Sequence, residues 1–156
     1  MTQQLNTDHA QALKKLAHVF LEIPFNRMLG LHLDEMEQSH ITMSFDMKND
    51  LVGNFLHGIL HGGVTSSVLD MAGGMAAMSS LIYRQTDKPI DEIAKMLGKT
   101  STIDMHVNYI RPGKGTHFSA KAYVIHTGNK ISFTRMELFN QDALLIATGT
   151  GTYLVG

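Results

Sequence analysis

Between His61 and Ile82 the chain carries a helical segment that is apolar over more than one face. Val64, Val68, Met71, Met75, Met78 and Ile82 recur at spacings of three and four, and Leu69, Ala72 and Ala76 widen the apolar surface beyond a single stripe. Such a helix is buried by other elements and does not lie on a surface. The chain after it reads as strands. Residues 101–110, 116–126, 130–140 and 143–155 are separated by the turn signals RPGKG, TGN and QD. Before it, LGLHLDEMEQSHITMSFDM alternates apolar and polar residues on either side of EQSH, with Ile41, Met43 and Phe45 on one face, as a hairpin does. One hairpin, one central helix and four strands predict an α+β fold, an antiparallel sheet with a helix on one face.

Two further segments surround this unit. From Thr7 to Phe20, Ala10, Leu13, Ala17 and Phe20 follow helical spacing with Asp8 near the start, which predicts a short amphipathic helix ended by Pro24, within an N-terminal extension over 1–22. Residues 85–100 hold Pro89 and the amphipathic stretch DEIAKML, and read as an insertion between the helix and the next strand; long connections of this kind often cover a site. A loop from Lys48 to Leu60 carries Gly53 and Gly58. With 156 residues, 44% of them hydrophobic, 1–156 is expected to form a single domain.

Thirteen basic and fourteen acidic side chains give a net charge of −1, which points away from nucleic acid or a membrane surface as partner. The first twenty residues lack the pattern of a signal peptide and no apolar run approaches the roughly 20 residues of a bilayer span, so the expected location is cytoplasmic. The absence of cysteine excludes disulfides, thiolate metal sites and a cysteine nucleophile. Chemistry must come from carboxylates, hydroxyls, histidines or the backbone.

Asp70 is the one carboxylate on the apolar helix. A lone Asp can be a solvated surface group. Its helical neighbours are Ser66, Ser67, Gly73, Gly74 and Ala77, all small, so the alternative is a face made for close approach by a ligand or a second helix. Gly62 and Gly63 lie where the helix starts, and their amides are donors at the positive end of its dipole. They serve either as a plain cap, with His61 bonding locally, or as an oxyanion site. Gly62 and Asp70 are eight residues apart, about 12 Å along a helix, whereas an oxyanion donor and an attacking group must both lie about 3 Å from one carbonyl. If the two act together, the helices of two subunits run antiparallel and form two equal sites.

The residues GILHGGVTSSVLDMAGG, followed by TIDMHVNYIRPG and VIHTGNKISF, resemble the hotdog-fold acyl-CoA thioesterases of the PaaI-like group, and within that superfamily the YigI-type bacterial enzymes. The resemblance spans roughly Phe25 to Tyr153. It implies a long helix wrapped by a five- or six-stranded antiparallel sheet, and a homodimer formed edge to edge that often pairs into a homotetramer. It also implies that Asp70 is the catalytic carboxylate, as nucleophile or as general base, that the amide of Gly62, with Gly63, polarises the thioester carbonyl, and that His61 shapes the turn. Thr102 takes the place of a hydroxyl that assists the water; as a β-branched residue it equally suits a strand. The family's Asn six positions before the motif His falls here on Phe55, with Asn54 beside it in the water-positioning role. Coenzyme A, the only cofactor-like group and itself part of the substrate, is expected along Tyr109 and Arg111 and at the turn of His126, Gly128, Asn129 and Lys130.

No metal is expected: His57 and His61 are four apart, but the glutamate of HExxH is absent and Gly58 interrupts the helix such a pair needs. Two rival functions share the fold class. A hydratase or dehydratase would use His61 as its base, and a non-catalytic acyl-CoA-binding module would keep the pocket without needing Asp70. Met71, Met75, Met78 and DEIAKML suggest an adaptable apolar tunnel, which with the YigI-type resemblance favours medium or long acyl chains.

Overall fold

The computed structural model describes residues 5–156; residues 1–4 of the expected N-terminal extension lie outside the described residues. Helix α1 runs Thr7–Leu21, and Asn6 caps it by accepting the His9 amide at 2.9 Å. Pro24, expected only as a terminator, instead opens a second helix, α2 (Pro24–Leu29), where its missing N–H costs nothing. Gly30 closes α2 with φ of 73°, a left-handed conformation that glycine adopts without a side-chain clash.

The expected hairpin is β1 (His32–Met36) and β2 (His40–Asp46). A short ribbon follows, β3 (Val52–Asn54) with β4 (Ile59–Leu60). Then come the long helix α3 (Gly62–Arg84), the short helix α4 (Ile90–Leu97) and the four strands β5 (Ser101–Tyr109), β6 (His117–Thr127), β7 (Ile131–Asn140) and β8 (Leu145–Leu154). Six strands make one antiparallel sheet in the order β1-β2-β6-β7-β8-β5.

Strand alternation decides which face meets α3. Ile41, Met43 and Phe45 of β2, Phe118, Ala120 and Ala122 of β6, and Met136 and Leu138 of β7 point inward against Val68, Leu69, Ala72, Met75 and Ala76 of α3. All of these are essentially without solvent contact, and Phe45 stacks on Phe118 with ring centres 5.3 Å apart. The outer face carries polar pairs beside the exposed Ile131 and Phe133 of β7: Thr42 donates to Glu35, Ser44 to Asp34 and Thr152 to Asp104, and Arg135 lies over the Tyr123 ring at 5.0 Å. The helix is thus covered by one face of a sheet whose other face is wetted.

The insertion is a helical layer. Ile93 of α4 is buried with Leu13 of α1 and Ile82 of α3, while Met96 and Leu97 pack against Ala77, Leu81 and Tyr153. At the far side of the sheet β5 forms an open edge, and Ile103, Tyr109 and the adjoining Ile110 are each about half exposed.

Candidate active site

Two clusters lie at opposite ends of β5. The first is the start of α3. His61 is its N-cap: the imidazole Nδ1 accepts the Gly63 amide at 2.9 Å. An amide can only donate, so Nδ1 is the unprotonated nitrogen and the ring proton sits on Nε2. Gly63 is therefore occupied as a donor within the chain. The Gly62 amide has no acceptor among the described residues, so of the two expected oxyanion donors it is the free one.

Gly62 also lies against Tyr109. The Tyr109 hydroxyl donates to its carbonyl at 3.0 Å, and a Cβ at this position would touch the Tyr109 ring at 3.4 Å. Ile59, Leu60, Thr65, Tyr109, Arg111 and Gly113 enclose a cleft of about 290 Å³ over Gly62. Arg111 is fixed at its rim by a 2.8 Å bond from its guanidinium to the Leu145 carbonyl.

Asn54 stands at the end of β3, on the ribbon that packs against the cap. Gly53 beside it is so close to His61 that a Cβ would fall 2.6 Å from the His61 Cα. The Asn54 side chain accepts the Leu56 amide at 3.1 Å, closing its own turn. It lies with Gly62, not with Asp70. Phe55 and Leu56 stand out at the ribbon's tip, 86% and 75% exposed. Gly58 has φ of 58°, so His57 and His61 do not share a helix face.

The second cluster surrounds Asp70. Its Oδ1 accepts the Thr102 hydroxyl at 2.9 Å and the Tyr153 hydroxyl at 3.2 Å. Thr102 therefore does more than fill β5. The small pocket beside the carboxylate, about 90 Å³, is lined by Phe20, Met71, Gly74, Met78, Thr100 and Tyr153, with Ser101 and Thr102 at its rim. Thr100 Oγ1 is buried there with no hydrogen-bond partner among the described residues.

This arrangement corrects two expectations. Gly73 does not clear a face for a ligand or another helix; it admits Tyr153, since a Cβ there would fall 2.3 Å from the phenol oxygen, while Gly74 stays on the wall of the pocket beside Asp70. Met75 does not line the pocket. It points into the sheet and is fully buried, while Met71 and Met78 stay on the Asp70 side. DEIAKML packs on α1, α3 and Tyr153 and does not line the pocket; of the insertion only Thr100, just beyond it, does.

The turn expected to hold coenzyme A lies past the same end of β5. Ile131 and Ser101 both pair with Leu154, which puts the β6–β7 turn beside the start of β5. Gly128 donates its amide to the Ile131 carbonyl at 2.8 Å, so that amide closes the hairpin and is not available to a phosphate. His126, Asn129 and Lys130 are exposed. Arg84, at the end of α3, donates to the Thr127 carbonyl and adds a cation here that sequence reading missed. Within one chain, then, Tyr109 and Arg111 share an end with Gly62, and the β6–β7 turn shares the other with Asp70.

Tyr153 and Phe20 were also missed. Tyr153 was legible in principle: in GTGTYLV it alternates with Gly149 and Gly151 on the inward face of β8. Phe20 was not, because nothing in the sequence says that α1 crosses over the Asp70 face of α3.

The family model of the thioesterase superfamily matches residues 57–147 of the chain. The medium/long-chain acyl-CoA thioesterase YigI of Salmonella typhimurium is 42% identical over 147 residues, covering 94% of this chain and 95% of that protein. The protein of the same name from Escherichia coli K12 is 40% identical with the same coverage. Among solved structures, a protein from Shewanella oneidensis related to the thioesterase superfamily superimposes with a TM-score of 0.93 at 43% identity, covering 97% of this chain and 99% of its own. The PaaI protein of the E. coli phenylacetic acid degradation operon, at 19% identity, shares the fold with a TM-score of 0.74 over 94% of each chain.

Proposed function

The chain belongs to the thioesterase superfamily, and from that premise we propose that it is an acyl-CoA thioesterase, cleaving medium- or long-chain fatty acyl-CoA to free CoA and a carboxylate. The observation that carries the reading is Asp70: a carboxylate with one oxygen tied down by Thr102 and Tyr153, at the mouth of a pocket walled by Phe20, Met71 and Met78. The acyl chain enters among these apolar side chains, and Met adapts to varied chain shapes.

Thioester hydrolysis needs a donor for the oxyanion and an activated oxygen for the attack. Asp70 supplies the second. Either it takes a proton from water as the hydroxide adds to the carbonyl carbon, or it adds first and water opens the resulting anhydride. In both routes the C–S bond breaks, CoA leaves as the thiol after gaining a proton, and the acid leaves as its carboxylate. The free Gly62 amide supplies the donor, from the other subunit of a homodimer whose helices run antiparallel across the β5 edges. The same two-fold brings Tyr109 and Arg111 of one subunit toward the partner's β6–β7 turn, where Lys130 and Arg84 provide charge for the CoA phosphates. Pairing of dimers gives a homotetramer. No metal or organic cofactor takes part, and the compartment is the cytoplasm.

His61 does not suit the base of a hydratase, because its unprotonated nitrogen is spent on the Gly63 amide. Free-thiol release from a panel of acyl-CoAs, with Asp70→Asn run alongside, tests the proposal. Turnover that rises from acetyl toward medium or long chains, and falls about 10²- to 10⁴-fold in Asp70→Asn with the fold intact, is expected. Tight binding without release in both proteins would make the chain an acyl-CoA-binding module.

A further inference from the structure

Tyr153 is a buried polar group in contact with Asp70 for which the reaction, assigned to Asp70 and Gly62, has no role. Its side chain is 1% exposed, and its hydroxyl lies 3.2 Å from Asp70 Oδ1 and 3.3 Å from the Asp70 backbone carbonyl. A helix carbonyl already accepts the amide four residues on. The carboxylate carries charge and is the stronger acceptor for the single phenol proton. Thr102 donates to the same Oδ1 at 2.9 Å. Both donors therefore converge on one oxygen, and no described residue donates to the other.

We propose that Tyr153 is a positioning residue for hydrolysis: together with Thr102 it clamps Asp70 Oδ1, and so turns Oδ2 toward the water or thioester as the reacting oxygen. The proposal rests on the reading of Asp70 as the working carboxylate. It fixes which oxygen of that carboxylate reacts, and it predicts that the clamp acts on turnover without acting on binding.

The packing makes room for the hydroxyl as well as for the ring. Gly151 makes room for the ring, since a Cβ there would fall 2.8 Å from Cε2 and from the hydroxyl. Gly73 makes room for the oxygen itself, its missing Cβ lying 2.3 Å from the phenol oxygen but 3.0 Å from the nearest ring carbon. A phenylalanine here would still press on both glycines through its ring, at 2.8 Å and 3.0 Å; only the 2.3 Å contact at Gly73 belongs to the hydroxyl alone. Burial, and then the Asp70 carboxylate, push the phenol pKa far above the usual tyrosine range, so the group remains a donor wherever the enzyme works. Asp104 is the other acid acting on it, and Thr134 is its remaining polar neighbour.

The test is Tyr153→Phe, which keeps the ring, measured for kcat, KM and pH profile against a medium-chain acyl-CoA, with thermal denaturation alongside. Loss of a hydrogen bond to a charged group is expected to lower kcat about 10- to 100-fold. KM should stay within about twofold, and the acid limb of the kcat profile should move to higher pH, because a carboxylate with fewer donors is more easily protonated. Unchanged kcat with an unchanged acid limb in a folded Tyr153→Phe protein overturns the proposal. If Tyr153→Phe does not fold, replacing all tyrosines with 3-fluorotyrosine keeps the ring and strengthens the donor. The acid limb must then move to lower pH, and an unmoved limb overturns the proposal equally. Asp70→Asn run in parallel distinguishes the two failures: an active Asp70→Asn removes the underlying reading, whereas an inactive Asp70→Asn beside a fully active Tyr153→Phe removes only the clamp.

Discussion

At Gly73 two opposing effects can be weighed by size. Replacing a mid-helix glycine with alanine ordinarily stabilises a protein by about 1 kcal/mol. Here the added Cβ would sit 2.3 Å from the Tyr153 oxygen, a distance real side chains do not tolerate, so either the phenol or the helix must move. Gly73→Ala is therefore expected to lower the melting temperature and the turnover together; a stabilised, fully active variant would show that Tyr153 is loosely held. Tyr153 also sets an alkaline limit. Its folded pKa is raised above the ordinary 10.0, so its contribution to stability is complete below that value and fades as pH rises above it, where the unfolded chain alone can ionise. Melting temperature measured from about pH 8 to about pH 11, a range that brackets that ordinary pKa, should fall more steeply in the native chain than in Tyr153→Phe. Asp70 and Gly62 stand out in the sequence by their types and spacing, and Thr102 only through the family resemblance. The partner of Asp70 does not, since Tyr153 lies eighty-three positions away and only the fold brings it near.

The elements themselves were mostly written in their periodicity. The four C-terminal strands and the long helix begin and end within two residues of where turn signals and apolar spacing put them. Periodicity failed where elements are too short to show it: α2 spans six residues and β3 and β4 three and two. It also could not say which side of α3 each methionine takes, because α3 is apolar nearly all round and offers no polar face to fix its rotation. The structure makes that distinction testable. Met75→Ala removes a fully buried side chain from the sheet face and is expected to cost about 2–5 kcal/mol, read by denaturant unfolding, without altering chain-length preference. Met71→Ala, on the pocket side, is expected to cost less and to shift the preferred acyl chain. The reverse pattern would mean that the acyl chain runs between α3 and the sheet.

For the molecule as a whole the proposed reaction asks for two groups that one helix holds apart. Along α3 the free Gly62 amide and Asp70 are about 12 Å apart, with Tyr109 at one end of β5 beside the first and Thr102 at the other beside the second. β5 is an open, half-apolar edge, the kind of strand that proteins normally cover. The separation along α3 follows from the eight-residue spacing, because helix rise is fixed; the burial of α1 and α4 on the same helix does not, because amphipathic helices do not name their partners. Subunit complementation tests the two-chain site most directly. Gly62→Pro removes the free amide at a position suited to proline: it is the first residue of α3, and His61 before it has φ of −64° and ψ of 134°, the extended backbone that precedes proline. Gly62→Pro and Asp70→Asn are each expected to be inactive alone. Mixed under conditions that exchange subunits, they should recover up to about a quarter of native turnover, since half the dimers are hybrids and each hybrid carries one intact site. Hybrids that form but stay inactive would contradict the account and place the donor and the carboxylate of each site in the same chain.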